Sequence, residues 1–341
     1  MEYDVTIGIP VYRVESFIRR TMESALSQTY PSIEFLLVDD GSDDQSIEIV
    51  QEIKAVHPRG SDIHIITLPN NSGAYEARNL IIDKALGSYL YFMDSDDVIE
   101  RDTIEILMKE AKNFRADIVF GSYEKTELSG KKVLYQYPQL RFEDGDGFAC
   151  FAYRRYAGIQ ASACNYIVKL SILREKELRF CHSKFWEDTV FTLELVSYVN
   201  RAVLLPNITY HYLCREHSLT DIHYDDRIDK QELQQYLSTI DHLKQGKNRL
   251  RNKVYFPHWC FIIVMSDIYI ICNILKRHQY IVPSFGNNEL RNSLKHPASF
   301  SEIMAFKQKK FQNIVLYLLG KLPSSVCILL IRLFGNTKGL I

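Results

Sequence analysis

Two stretches of the chain gather carboxylates at a spacing that suits a hard cation. Asp94-Ser95-Asp96-Asp97 closes the apolar run of residues 89–93, and Asp39-Asp40-Gly41-Ser42 closes the run of residues 35–38. Asp94 and Asp96 are two apart, so in an extended segment their side chains project to one side and can offer oxygens to a single Mg2+ or Mn2+. Such ions take their remaining ligands from water and phosphate oxygens, which makes a nucleoside diphosphate the natural companion. A polar turn capping a helix would use the same residues; the apolar run before them and the second acidic run favour the cation. Asp40 can accept the N–H of a uracil or guanine ring, and Tyr12, following Pro10-Val11, can cover the face of the base. Asp39 alternates away from Asp40 and fits the turn itself. Neither G-x-G-x-x-G nor G-x-x-x-x-G-K-[ST] occurs near the first apolar run, so phosphate is expected on a metal rather than on a glycine loop. The same absence disfavours a nicotinamide-dependent oxidoreductase and a P-loop enzyme.

Two later segments add candidates. Phe185-Trp186-Glu187-Asp188 opens a helical pattern through Val190, Leu193, Glu194 and Leu195. A carboxylate here can act as a general base, or can simply complement the dipole of the first helical turn. Residues 210–220 hold Tyr212, Arg215, His217, Ser218 and Thr220 in a loop-like pattern, where Arg215 offers bidentate phosphate recognition and His217 a metal ligand. A solvated loop after an edge strand accounts for the same residues. His57, His64 and His182 carry no pattern.

These groups need a scaffold, and hydrophobic periodicity supplies one. Residues 5–10, 35–38, 63–68, 89–93 and 117–122 read as strands, and residues 15–28, 44–56 and 103–113 as helices. A further helix is expected after Ser72 as its cap, with the small inner face Ala74, Ala77, Ile81 and Ala85. Strands alternating with helices predict an α/β fold whose mostly parallel sheet is covered on both faces. Ligands bind such sheets beyond the carboxyl ends of the strands, where Pro10-Val11-Tyr12 and both acidic runs fall.

The runs TIGIPVYRVESFIRRTMESALSQTYPSIEFLLVDDGSDD, NNSGAYEARNLIIDKALGSYLYFMDSDD, FWEDTVF and YHYLCREHSLT resemble the family 2 glycosyltransferases, which have the Rossmann-like GT-A nucleotide-sugar fold. The resemblance covers about residues 3–220, in the order and spacing of four blocks. It implies that Pro10 and Tyr12 line the nucleoside site, that Asp40 binds the base and that Arg78 approaches the donor diphosphate. It further implies that Asp94 and Asp96 bind ribose and Mn2+ or Mg2+, with Asp97 beside them, and that Asp188 is the general base of an inverting transfer. Trp186 and Glu187 would then lie at the acceptor, where an aromatic ring can stack on a sugar. Arg13 departs from the family pattern, which usually has asparagine there, and no Q-x-x-R-W block is present, so processive synthesis of the cellulose type is not expected. The implied activity moves a sugar from a nucleotide-diphosphate donor, a UDP-sugar by preference, to a cell-surface glycan or lipid-linked saccharide. A catalytically silent nucleotide-sugar-binding subunit is the alternative.

The formal charge of −1 hides an uneven distribution: residues 1–240 carry 26 Lys and Arg against 38 Asp and Glu, net −12, while residues 241–341 carry 15 against 4, net +11. The expected division is a catalytic domain over residues 1–222, with a nucleotide-sugar part (1–122) and an acceptor part (123–222), followed by a basic, mainly helical region (223–341). Residues 259–275 are apolar but hold Asp267 at their centre and fall short of the roughly 20 residues a membrane span needs; they read as a buried helix. Residues 313–334 break at Gly320, Lys321 and Pro323 into two amphipathic pieces. With Lys307, Lys309, Lys310, Lys321 and Arg332 around them, these suit an anionic membrane surface at about 1 kcal/mol per basic residue, or pack against the catalytic part. A nucleic-acid partner is disfavoured, because the catalytic part is acidic and no recognition motif is visible. Seven cysteines without C-x-x-C pairs or zinc spacing point to reduced thiols, and the acidic N-terminus lacks the basic and apolar regions of a signal peptide. The expected location is cytoplasmic, peripheral at the inner face of the membrane.

Overall fold

The computed structural model describes residues 2–154, 159, 162–182, 187–215 and 228–341. The chain divides into two compact units, one of Met1–Phe148 and Ala161–Asp221, the other of Ala149–Gln160 and Ile222–Ile341.

The first unit alternates β1 (Tyr3–Val11), α1 (Ile18–Leu26), β2 (Ile33–Asp39), α2 (Ser46–Val56), β3 (Ile63–Thr67), α3 (Ala74–Lys84) and β4 (Gly87–Phe92). There follow β5 (Val98–Ile99), α4 (Thr103–Phe114), β6 (Ile118–Thr126), β7 (Lys132–Tyr135), β8 (Leu140–Phe142) and α5 (Gly145–Arg154), whose last residues belong to the second unit. β9 (Tyr166–Lys169), α6 (Leu170–Glu175), α7 (Glu187–Val196) and β10 (Ala202–Leu213) complete it. One sheet of ten strands runs β3-β2-β1-β4-β9-β6-β10-β5, with β7 on β6 and β8 on β10. β1 to β4, β6 and β10 share one direction, while β5, β7, β8 and β9 oppose it. All seven residues of β2 are buried, as a parallel strand covered on both faces requires. α3 lies so close on β1 that a Cβ at Gly8 would collide with Ile81 Cγ2.

The carboxyl ends of β1, β2 and β4 therefore lie side by side, with Val11 opposite Asp39 and Gly8 opposite Phe92. Two elements differ from expectation. β9, only four residues long, inserts antiparallel between β4 and β6, so the strand predicted after α4 does not neighbour β4. Residues 210–213 are not loop: they extend β10 along β6, carrying Tyr210 to the same edge as the acidic runs.

The second unit holds β11 (Ile228–Asp229), α8 (Lys230–Gln245), α9 (Lys247–Leu250), α10 (Phe256–Lys276), β12 (Ile281–Val282), α11 (Asn287–Ser293), α12 (Phe300–Ala305), α13 (Lys310–Leu319) and α14 (Ser324–Thr337). α10 is long and apolar enough to cross a membrane, but 78% of its apolar window is buried and it forms the core of this unit. Asp267, at its centre and fully buried, lies 2.7 Å from Lys244 Nζ of α8. As the sequence predicts, residues 320–323 separate α13 from α14.

Candidate active site

After β1, Tyr12 is half-buried and Arg13 enters the left-handed region at φ 49°. Asparagine tolerates that conformation better than arginine does. Arg13 is held there by Asp43, whose two oxygens each lie 2.6 Å from a guanidinium nitrogen, and its charge sits 5.3 Å from the centre of the Tyr12 ring.

After β2, Asp39 Oδ1 accepts the N–H of Ser42 at 2.9 Å and so closes the turn. Asp40 points elsewhere and is buried. Its Oδ1 accepts the N–H of Ser72 at 2.7 Å and its Oδ2 that of Gly73 at 2.8 Å. Each oxygen keeps a second lone pair, so acceptor capacity toward a ring N–H remains. Ser72 does not cap α3. Its N–H is itself held by Asp40, and Gly73 takes the cap position at φ 101°, a conformation that glycine adopts without steric cost.

Arg78 of α3 is buried and forks between two carboxylates: Nη2 donates to Asp94 Oδ1 at 3.0 Å and Nη1 to Glu187 Oε1 at 2.8 Å. Phe180 lies against the guanidinium, 5.5 Å away. Burial alone would disfavour its charge, but Asp94 and Glu187 outweigh burial and hold it firmly protonated. Its Nε is buried without a hydrogen-bond partner among the described residues.

In the acidic run after β4 each acid has its own partner. Asp96 Oδ2 accepts from Arg215 Nε at 2.5 Å. Asp97, fully buried, accepts from Tyr210 Oη at 2.7 Å and from the N–H of Leu213 at 2.8 Å. Tyr210 Oη in turn accepts the N–H of Asp94 at 3.2 Å, and the Thr21 hydroxyl sits 2.9 Å from the carbonyl oxygens of both Ser95 and Asp97. Burial, with Asp94 adding to it, raises the Asp96 carboxyl against the pull of Arg215. Burial and the two neighbouring acids raise Asp97 well above the usual range.

The acids of α7 complete the site. Glu187 is pushed up to about 7 by burial, opposed by Arg78 and assisted by Asp188. Asp188 Oδ1 accepts the N–H of Thr189 at 2.7 Å, and burial raises its carboxyl while Arg78 opposes and Asp94 adds. Trp186 and His217 lie outside the described residues. Four carboxylates, of Asp94, Asp96, Glu187 and Asp188, thus feel the guanidiniums of Arg78 or Arg215, while Asp97 is held by Tyr210 and the Leu213 N–H.

The Glycosyl transferase family 2 profile matches residues 6–170. EpsJ of Bacillus subtilis, an uncharacterized glycosyltransferase, is 30% identical over 250 residues that span 69% of this chain and 68% of EpsJ. The chain belongs to the family 2 glycosyltransferases. Glycosyltransferase GlyA of Streptococcus pneumoniae is 30% identical over 227 residues, 64% of this chain but only 32% of GlyA, so the chain spans about a third of that relative. TarS of S. aureus shares the fold with a TM-score of 0.64 at 17% identity, over 96% of this chain and 54% of TarS. Residues 1–349 of TarS in complex with UDP-GlcNAc give a TM-score of 0.59 at 18% identity, over 93% of this chain and 90% of that one.

In this glycosyltransferase Asp94 Oδ2 and Asp96 Oδ1 have no hydrogen bond among the described residues. Two hard oxygens in a site with excess negative charge suit a divalent cation. Among the described residues no group of three or more His, Cys, Asp or Glu side chains is placed to hold a metal ion. Two contributors escape the sequence reading. Tyr210 is signalled only by its alternation with Tyr212, and Thr21 by nothing, since it lies in the middle of an amphipathic helix.

Proposed function

We propose that this glycosyltransferase moves a sugar, with inversion, from a UDP-sugar to a hydroxyl of a cell-surface glycan or lipid-linked saccharide. The observation that carries the reading is the buried Arg78 fork, which ties the acidic run after β4 to the Glu187-Asp188 pair of α7. A donor diphosphate beside Arg78 would meet a guanidinium that Asp94 and Glu187 keep charged. Asp40 would accept the base N–H and Tyr12 would cover its face, while Pro10, Val11 and Ser95 shape the surrounding backbone. Asp94 and Asp96 would hold Mn2+ or Mg2+; when bound, the ion supplies positive charge for the departing diphosphate.

In the transfer, the acceptor oxygen forms a bond to the anomeric carbon as the bond to the diphosphate oxygen breaks and its electron pair leaves with the phosphate. Asp188 takes the acceptor proton at its carboxylate, a contribution of roughly 10²–10⁴-fold. Arg215, paired with Asp96, would exchange onto the diphosphate once donor is bound. TarS bound to UDP-GlcNAc supports the choice of donor class by analogy of fold. Seven cysteines with neither C-x-x-C pairs nor zinc spacing favour work in the cytoplasm. Asp188→Asn is expected to reduce turnover at least about 10²-fold while UDP affinity in calorimetry stays close to that of the wild type. Near-normal turnover would remove Asp188 from the mechanism.

A further inference from the structure

The second unit leaves an apolar surface uncovered. On α13, Phe311, Val315 and Leu318 are exposed at spacings of four and three, while Asn313 and Leu316 are buried on the other side. On α14, Val326, Leu329, Leu330 and Leu333 repeat the pattern, opposite buried Cys327, Ile328 and Ile331. Phe311 is 75% exposed and Leu329 56%. An amphipathic helix normally turns such a row inward. Here the inward row exists as well, so the outer row is surplus to packing.

The chain that forms these two helices carries charge of one sign. After Glu302 the chain carries no Asp or Glu up to residue 341, but six Lys and Arg, of which Lys310 and Lys321 bracket α13 and Arg332 lies on α14. A soluble partner protein covering a patch like this would need a matching apolar face of acidic surroundings. A leaflet of anionic lipid offers both properties at once, hydrocarbon below and phosphate at the level of the basic groups. With 10 and 14 residues, α13 and α14 are too short to cross a bilayer and suit lying in its interface.

We infer that the outer faces of α13 and α14 dock this chain on an anionic membrane surface. The inference is independent of the reading of the site, and its readout involves no sugar transfer. The full chain is expected to sediment with vesicles containing phosphatidylglycerol at low salt at least about tenfold more than with pure phosphatidylcholine vesicles, and to be released as salt screens the basic groups. Leu329→Asp with Leu333→Asp should abolish the sedimentation, and Phe311→Asp on α13 should weaken it. All three positions are exposed, and unchanged circular dichroism would show that the variants fold. A chain that stays in the supernatant with both vesicles overturns the inference. So does sedimentation that survives the double substitution, or a dimer that depends on Leu329 and Leu333 and excludes vesicles.

Discussion

Asp188 can take a proton only when ionised, and its surroundings make ionisation harder than in water. Burial is the larger influence, and Arg78 offsets only part of it. A carboxyl raised in this way loses its charge as pH falls through the raised value, so turnover should fall on the acid side well before the ordinary carboxylate pKa of about 4. The acid limb of kcat/KM is therefore expected above the pH at which an exposed aspartate titrates, and a limb at or below about pH 4 would contradict it. The residue types at Asp94, Asp96 and Asp188 are legible in the sequence because carboxylates at strand and helix ends form local patterns. That Glu187 grips Arg78 is not legible: the two are 109 positions apart, and an ion pair leaves no periodicity behind it.

The elements most open to reading are those with a strong local period. β1, β2 and α3 follow directly from continuous apolar runs and small inward residues. β10 hides its end, because Tyr210 to Leu213 mixes tyrosine and histidine in a way that a loop would also allow; only pairing with β6 makes it a strand. The extension matters to the site. Tyr210 is rooted in β10, and its hydroxyl bridges Asp97 and the backbone of Asp94, so the strand sets the position of the acidic run. Tyr210→Phe keeps the ring and its packing but leaves a buried carboxylate oxygen and a backbone N–H each short of a partner. Stability is expected to fall by about 1–3 kcal/mol in urea denaturation, with weaker UDP binding. A variant as stable as the wild type, binding UDP equally well, would mean that Asp97 and Asp94 are held by other contacts.

At the scale of the whole chain, the acidic and basic parts read from the sequence fall mostly in different kinds of structure, one a large sheet and the other a helical unit, although the units divide near residue 221 rather than 240 and residues 149–160 go with the helical one. Composition reveals such a division because it needs no knowledge of contacts. The strand order does need it: β9 joins β4 to β6 through pairings between residues about 50 to 80 positions apart, and nothing local in a four-residue run specifies them. That order brings the excess carboxylates together, and a site with too much negative charge is one whose stability should respond to a bound cation and nucleotide. Ligand at about 100 times its Kd stabilises the folded state by about 2.7 kcal/mol. For a unit of about 200 residues this corresponds to roughly 5–10 °C in Tm. UDP with Mn2+ is therefore expected to raise Tm by several degrees, EDTA to remove most of the gain, and Asp94→Asn with Asp96→Asn to abolish the metal-dependent part. Asp40→Ala should reduce the gain without removing its dependence on the metal, since it removes the base contact and the two hydrogen bonds from Ser72 and Gly73 but leaves Asp94 and Asp96 in place. Equal stabilisation by UDP with and without EDTA would show that Arg78 and Arg215 hold the diphosphate unaided, and that the acidic run serves the fold rather than a metal.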